Sequence, residues 1–96
     1  MESRVPLTVM LKLRGKDASG KAFELLALTD DVSTSGFLCS CAAPLERDAI
    51  VEVSLLRGGV ERATGRARVA RVESASIPVQ RYEFQFVEKP SDWILQ

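Results

Sequence analysis

One short segment of this sequence has the residue types and the spacing to recognise a small polar ligand. It reads Asp31-x-Ser33-x-x-Gly36 and lies between two apolar stretches. A carboxylate and a hydroxyl at this spacing can present polar groups on one side of a tight turn. The alternative is an ordinary connection between strands, since Asp and Ser bond their own backbone and Gly supplies a positive φ. Spacing alone leaves both interpretations open.

Arginines form a second group that can bind a ligand. Five of them lie around one predicted hairpin: Arg57, Arg62, Arg66, Arg68 and Arg71. Arg71 has the parity of Val69, so strict alternation assigns it to a core-facing row and predicts that it emerges at the rim of the sheet. There its guanidinium can clamp a phosphate or stack on a ring. The alternative is a rim ion pair with Glu73 or Glu83.

The composition gives little support to catalysis or metal binding. The sequence contains no histidine and two cysteines, Cys39 and Cys41. A Cys/His metal site is therefore excluded, and no general base lies near either thiol in the sequence. We expect a protein that is not an enzyme and that needs no metal or cofactor. The two cysteines are predicted to be buried, reduced and unreactive.

Charge and hydropathy limit the partners. Thirteen basic residues balance thirteen acidic ones, so the chain has no basic excess for sequence-independent binding to nucleic acid. No apolar segment is long enough to cross a bilayer, and the N-terminus lacks the pattern of a secretory signal. We expect a cytoplasmic protein with no membrane insertion and no nucleic-acid partner.

Alternation of apolar and polar residues dominates the chain, and its length of 96 residues predicts one domain over 1–96. The second predicted strand is apolar enough to be buried on both faces, and Gly58-Gly59 predicts a hairpin turn. Six strands joined mostly by short turns predict an all-β, six-stranded antiparallel barrel, because closure removes exposed edges. The predicted strands cover 5–14, 22–29, 37–41, 50–57, 60–72 and 79–87.

Two further expectations concern the interior and the C-terminus. Ser91 is positioned as the N-cap of a short C-terminal helical turn that includes Trp93. Period-two alternation also predicts core residues: Val9, Leu11, Phe37, Val51, Val53, Leu55, Val69, Phe84 and Phe86.

The order of these elements resembles the PilZ domain family, the small split β-barrels that act as bacterial receptors for cyclic di-GMP. The resemblance covers nearly the whole chain and is most specific in the Asp31-x-Ser33-x-x-Gly36 segment with its flanks. Its other parts are Arg4-Val5-Pro6, Phe37-Leu38, Pro44-Leu45, Val51-Glu52-Val53, the 65–72 arm and Tyr82-x-Phe84-x-Phe86.

The resemblance also implies which residues would bind the ligand. The family uses an Arg-x-x-x-Arg motif and an Asp/Asn-x-Ser-x-x-Gly motif. The implied ligand-binding residues for cyclic di-GMP here are Arg4, Asp31, Ser33, Gly36 and Arg71. Arg4 matches the second arginine, and its partner would precede Met1. Either the natural chain is longer and this is an excised domain, or that arginine has been lost.

Three functions remain open at this stage. The first is a receptor that binds cyclic di-GMP and signals to a protein partner or a neighbouring domain. The second is a PilZ-like barrel that no longer binds nucleotide and acts as a protein-interaction module; the missing arginine favours it, whereas the intact Asp31-x-Ser33-x-x-Gly36 segment favours the first. A further departure is Glu83, which stands where the family usually has glycine. The third, an OB-like binder of single strands, would need exposed aromatic residues, and the few aromatics here are predicted to be mostly buried.

Overall fold

Antiparallel strand pairing organises the part of the chain that the computed structural model describes, residues 3–74 and 79–96. Each strand pairs on both sides, in the order β1-β2-β3-β6-β5-β4, so the sheet closes into a barrel. This confirms the predicted six-stranded antiparallel barrel. The strands are β1 Met10–Lys16, β2 Ala22–Val32, β3 Gly36–Cys41, β4 Ile50–Arg57, β5 Val60–Ser74 and β6 Gln80–Glu88.

The barrel interior is filled by alternate side chains from all six strands. The predicted core residues are buried, except that Val9 and Phe86 are partly buried and pack against the others. Phe37 stacks on Phe84 with ring centroids 4.9 Å apart. The polar group of Tyr82 is satisfied inside, because its hydroxyl accepts the Leu45 N–H at 2.9 Å. The predicted period of two is therefore the true period of the core.

The first strand begins later than predicted. Residues 3–9 form an arm outside the sheet that contacts β2 through an isolated bridge between Val5 and Val32. Farther along the arm, the Thr29 hydroxyl accepts the Val9 N–H at 2.8 Å and donates to the Leu7 carbonyl at 2.7 Å. The Thr29 hydroxyl thus makes two hydrogen bonds to the arm that a neighbouring strand's backbone would make in a regular ladder. Pro6 cannot join a ladder as a donor, because it has no backbone N–H. Alternating hydrophobicity extends past the point where pairing stops.

The prediction that the second strand is buried on both faces is wrong. Leu26 and Leu28 are 59% and 53% exposed, while Ala27 and Thr29 between and beside them are buried. A closed barrel has one interior, so every second residue of β2 faces outwards. The strand also runs to Val32, three residues beyond its predicted end.

Glycines mark two features of the β4–β5 hairpin. Gly58 and Gly59 both have positive φ, 58° and 78°, as the predicted turn requires. Gly65 lies where the C-terminal segment crosses the barrel, since an added Cβ would meet the Glu88 carbonyl oxygen at 2.2 Å. The register of β5 against β6 shifts just after it, between Arg66 and Ala67.

The C-terminal segment makes a single turn. The Trp93 N–H donates to the Pro90 carbonyl at 3.1 Å, and no helix forms among the residues described from 79 to 96. Trp93 is only 2% exposed and packs on Phe37 and Phe86. The C-terminal segment therefore forms a turn without a helix, and Trp93 covers one end of the barrel core. Across the described ranges, no helix is long and apolar enough to cross a membrane.

Candidate functional site

The Asp31–Gly36 segment forms the tight connection between β2 and β3. Asp31 and Val32 end β2, and Gly36 begins β3. The Ser33 N–H donates to the Gly36 carbonyl at 2.9 Å, which closes a hairpin over residues 34 and 35. The Ser33 hydroxyl lies 3.4 Å from the same carbonyl oxygen. The segment thus gathers a carboxylate, a hydroxyl and backbone groups at one end of the barrel.

Gly36 serves a different purpose from the one predicted by turn chemistry. Its φ is not positive; among the described glycines only Gly20, Gly58 and Gly59 have positive φ. A Cβ on Gly36 would instead lie 1.9 Å from the Phe84 carbonyl oxygen. The residue is glycine because the β6 backbone passes where a side chain would be.

Arg4 reaches the segment from the N-terminal arm. Its Nη1 donates to Asp31 Oδ1 at 3.2 Å, and its Nη2 donates to Glu83 Oε1. The bridge between Val5 and Val32 holds the adjacent backbone, with Val5 N–H donating to the Val32 carbonyl at 2.8 Å. The arm therefore carries a cation, 42% exposed, to the place that the resemblance implied.

Arg71 is close to this group, but it does not face the core. The prediction from strand parity is wrong, because the register of β5 against β6 shifts between Val69 and Arg71. The Arg71 side chain is 63% exposed, and its guanidinium pairs with Glu73 and lies 3.8 Å from Glu83 Oε1. Both ion-pair partners that the sequence offered as the alternative are thus present.

Sequence reasoning did not assign Glu83 to the site, although Glu83 connects its parts. Register places Asp31, Leu38, Glu83 and Arg71 in one row across β2, β3, β6 and β5. The Glu83 carboxylate, only 16% exposed, accepts from Arg4 and faces Arg71. The sequence offered two clues to Glu83: its place as an ion-pair alternative for Arg71, and its replacement of the usual family glycine.

These side chains surround a cavity of about 200 Å³. It is smaller than the roughly 300–1,000 Å³ of most ligand pockets, so a dinucleotide could be only partly enclosed. Arg71 lies outside the lining and joins it through Glu83. The lining residues are Arg4, Asp31, Ser33, Ser35, Gly36, Phe37, Glu83, Phe84 and Gln85.

The charged groups in and beside the cavity are mixed, with one more carboxylate than guanidinium groups. The two guanidinium groups of Arg4 and Arg71 face three carboxylates, those of Asp31, Glu73 and Glu83. An anionic ligand would have to compete with these carboxylates for the same N–H donors. The arrangement can bind an anion, provided that one or more of the internal pairs opens.

Trp93 is a second residue that sequence reasoning did not assign to the site. Its indole N–H donates to the Ser33 carbonyl at 2.7 Å. The indole N–H of a buried tryptophan usually donates to a hydrogen-bond acceptor, and this general rule is the signal by which Trp93 could have been linked to a nearby backbone carbonyl. The C-terminal turn therefore fixes the backbone of the β2–β3 connection through this hydrogen bond to Ser33.

The remaining candidates for chemistry are buried or separate. Cys39 and Cys41 lie in the core, and burial raises the pKa of both thiols above the ordinary value. Thiolates are therefore rare in the folded protein, in line with the predicted lack of reactivity. Within residues 3–74 and 79–96, no group of three or more His, Cys, Asp or Glu side chains could hold a metal ion.

Comparison with known proteins gives a match among solved structures but none among family models or curated proteins. No family model and no curated protein matches this sequence. Among solved structures, the chain is similar to the crystal structure of the PilZ domain of CeSA from a cellulose-synthesizing bacterium. The TM-score is 0.60 at 24% identity, and the match covers 91% of this chain and 82% of that one. The chain thus has the fold of a PilZ-like domain.

Proposed function

We propose that this PilZ-like domain is a receptor module for cyclic di-GMP. The observation that supports the proposal best is convergence: Arg4, Asp31, Ser33 and Gly36 are distant in sequence from Glu83, yet all line one cavity. Arg71 joins them across Glu83. Such convergence of polar groups at a concave surface is typical of a binding site and is not required by the barrel.

Each side chain has a role suited to a cyclic dinucleotide. The Arg4 guanidinium can fork onto phosphate oxygens or onto the O6/N7 edge of guanine. Asp31 can accept from the N–H groups of guanine, and the Ser33 hydroxyl can donate or accept. The exposed Arg71 guanidinium offers a flat surface on which a base can stack. The ligand signal would then pass to a protein partner or a neighbouring domain.

This 96-residue chain should bind cyclic di-GMP more weakly than a chain carrying Arg-x-x-x before Arg4. Arg4 matches the second arginine of the family pair, and it is already bound to Asp31 and Glu83. A charge-assisted hydrogen bond contributes roughly 1.5–3 kcal/mol. Adding an arginine four residues before Arg4 should therefore strengthen binding by on the order of ten- to a hundredfold, at about 1.4 kcal/mol per factor of ten.

The second candidate is a PilZ-like barrel that acts as a protein-interaction module without nucleotide. The excess of carboxylates over guanidinium groups at the cavity favours it. An exposed apolar group on the barrel exterior favours it as well. Met10 and Leu28 are cross-strand neighbours, 43% and 53% exposed, and Leu26 on the same face of β2 is 59% exposed. Contiguous exposed apolar patches are typical of protein-interaction surfaces.

Calorimetric titration with cyclic di-GMP at one salt concentration separates the two candidates. The receptor proposal predicts saturable binding by this chain, stronger binding by the arginine-extended chain, and loss of binding in Ser33→Ala and Arg4→Ala. Arg62→Ala is the matched control, because Arg62 is exposed and does not line the cavity; it should change little beyond the salt dependence. If the extended chain also fails to bind at high ligand concentration, the receptor proposal is wrong and the interaction module replaces it. Equal losses in Arg62→Ala and Arg4→Ala would place binding elsewhere.

A further inference from the structure

The Glu83 side chain is not part of the hydrophobic core of the barrel. It lies on β6 between Leu38 on β3 and Arg71 on β5, and its side chain points outwards towards the N-terminal arm rather than into the core. A single oxygen, Oε1, accepts from Arg4 Nη2 and lies 3.8 Å from Arg71 Nη2. The carboxylate is therefore shared between two guanidinium groups from different parts of the chain.

Guanidinium groups bind carboxylate and phosphate oxygens through the same kind of charge-assisted hydrogen bond. Resting on the proposed function, we propose that Glu83 is an internal anion at the phosphate position, and that a ligand phosphate binds only by displacing its carboxylate. Glu83 then sets the ligand concentration at which the receptor responds.

The N-terminal arm gives this displacement a structural consequence. Arg4 lies outside the sheet, one residue before the Val5–Val32 bridge, and its guanidinium is tied to the barrel through Asp31 and Glu83. When phosphate replaces Glu83, Arg4 keeps an anionic partner and the arm stays on the barrel through the ligand. Ligand binding thus replaces the Arg4–Glu83 ion pair with an ion pair between Arg4 and the ligand phosphate.

Glu83→Gln tests the proposal, since it keeps the shape of the side chain and removes the charge. In calorimetric titration with cyclic di-GMP, this variant should bind about two- to thirtyfold more tightly than the natural chain, because two partly exposed arginine pairs no longer compete. Glu83→Ala should show the same direction. Glu24→Gln is the matched control: Glu24 also pairs with an arginine, Arg14, and lies roughly 20 Å along β2 from Asp31.

A second titration separates this proposal from the receptor proposal. Inorganic pyrophosphate is added to isotopically labelled protein, and backbone amide shifts of residues 31–37 are followed. If no variant binds cyclic di-GMP but Glu83→Gln binds pyrophosphate more tightly than the natural chain, the receptor proposal fails and the internal anion stands. If Glu83→Gln and Glu83→Ala bind both probes no more tightly than the natural chain, the internal anion is refuted. Cyclic di-GMP binding by the natural chain would then leave the receptor proposal intact.

Discussion

Replacing Gly36 with alanine tests why the Asp-x-Ser-x-x-Gly segment ends in glycine. The added Cβ would lie 1.9 Å from the Phe84 carbonyl oxygen and 3.1 Å from the Gln85 Cα, both of them backbone atoms of β6. The two strands must separate there, which costs about 1–3 kcal/mol as overpacking. Weakening the bond from the Phe86 N–H to the Ser35 carbonyl, now 2.8 Å, adds about 1 kcal/mol. We expect the free energy of unfolding to fall by about 2–4 kcal/mol.

Urea denaturation measures this loss, and thermal melting should show a fall of about 10–25 °C for a domain of this size. Gly15→Ala is the matched control, because Gly15 is also a strand glycine. The nearest atom to its added Cβ is Val51 Cγ1 at 3.3 Å, the end of a side chain that can move slightly. The control should lose less than about 1 kcal/mol. Equal losses in the two variants, or a loss below about 0.5 kcal/mol in Gly36→Ala, would refute the close-approach explanation.

Three further predictions concern other parts of the molecule. Trp93→Phe removes the N–H that donates to the Ser33 carbonyl and leaves space in the core; it should cost about 2–4 kcal/mol in urea denaturation and speed amide exchange around Ser33, and unchanged exchange would contradict this. The two core cysteines should react with a soluble alkylating reagent only as fast as the barrel unfolds, so rapid labelling under native conditions would argue against their burial. Hydrogen bonds from Arg14 lower the pKa of Glu61 to about 2 from 4.5, so the ion pair stabilises the fold fully above about pH 4.5 and loses its effect as the pH falls towards 2. Glu61→Gln should therefore flatten the dependence of the free energy of unfolding on pH in that range. A pH dependence equal to that of the natural chain would count against the pair.

The sequence was sufficient to predict the barrel, because alternation identifies the inner face of a strand wherever pairing exists. Ile50–Arg57 was predicted to the residue, and the hairpin at Gly58-Gly59 follows directly from its turn chemistry. Alternation does not reveal where pairing stops. The apolar residues Val5 and Leu7 continue the pattern into an arm that contacts β2 through the Val5–Val32 bridge and through Thr29. Pro6, which lacks an N–H, is the local sign that regular pairing is interrupted there.

The candidate site was predicted less completely, since it depends on register between strands that are distant in sequence. Arg71 was assigned to the core face by parity, and a shift in pairing after Val69 reverses that assignment. Glu83 enters the site only because it pairs with both Leu38 and Arg71. Register and bulges are set by the whole sheet, whereas motif spacing is local.

A residue-resolved titration with cyclic di-GMP tests whether the cavity beside Ser33 and Glu83 binds the nucleotide. Amide spectra of the labelled full chain are recorded as the nucleotide is added. We expect saturable shifts concentrated at Ser33, Gly36 and Glu83, around the cavity, with the exposed β1–β2 face of Met10 and Leu28 unchanged. Spectra that stay unchanged up to high nucleotide concentration, or shifts confined to the β1–β2 face, would contradict it.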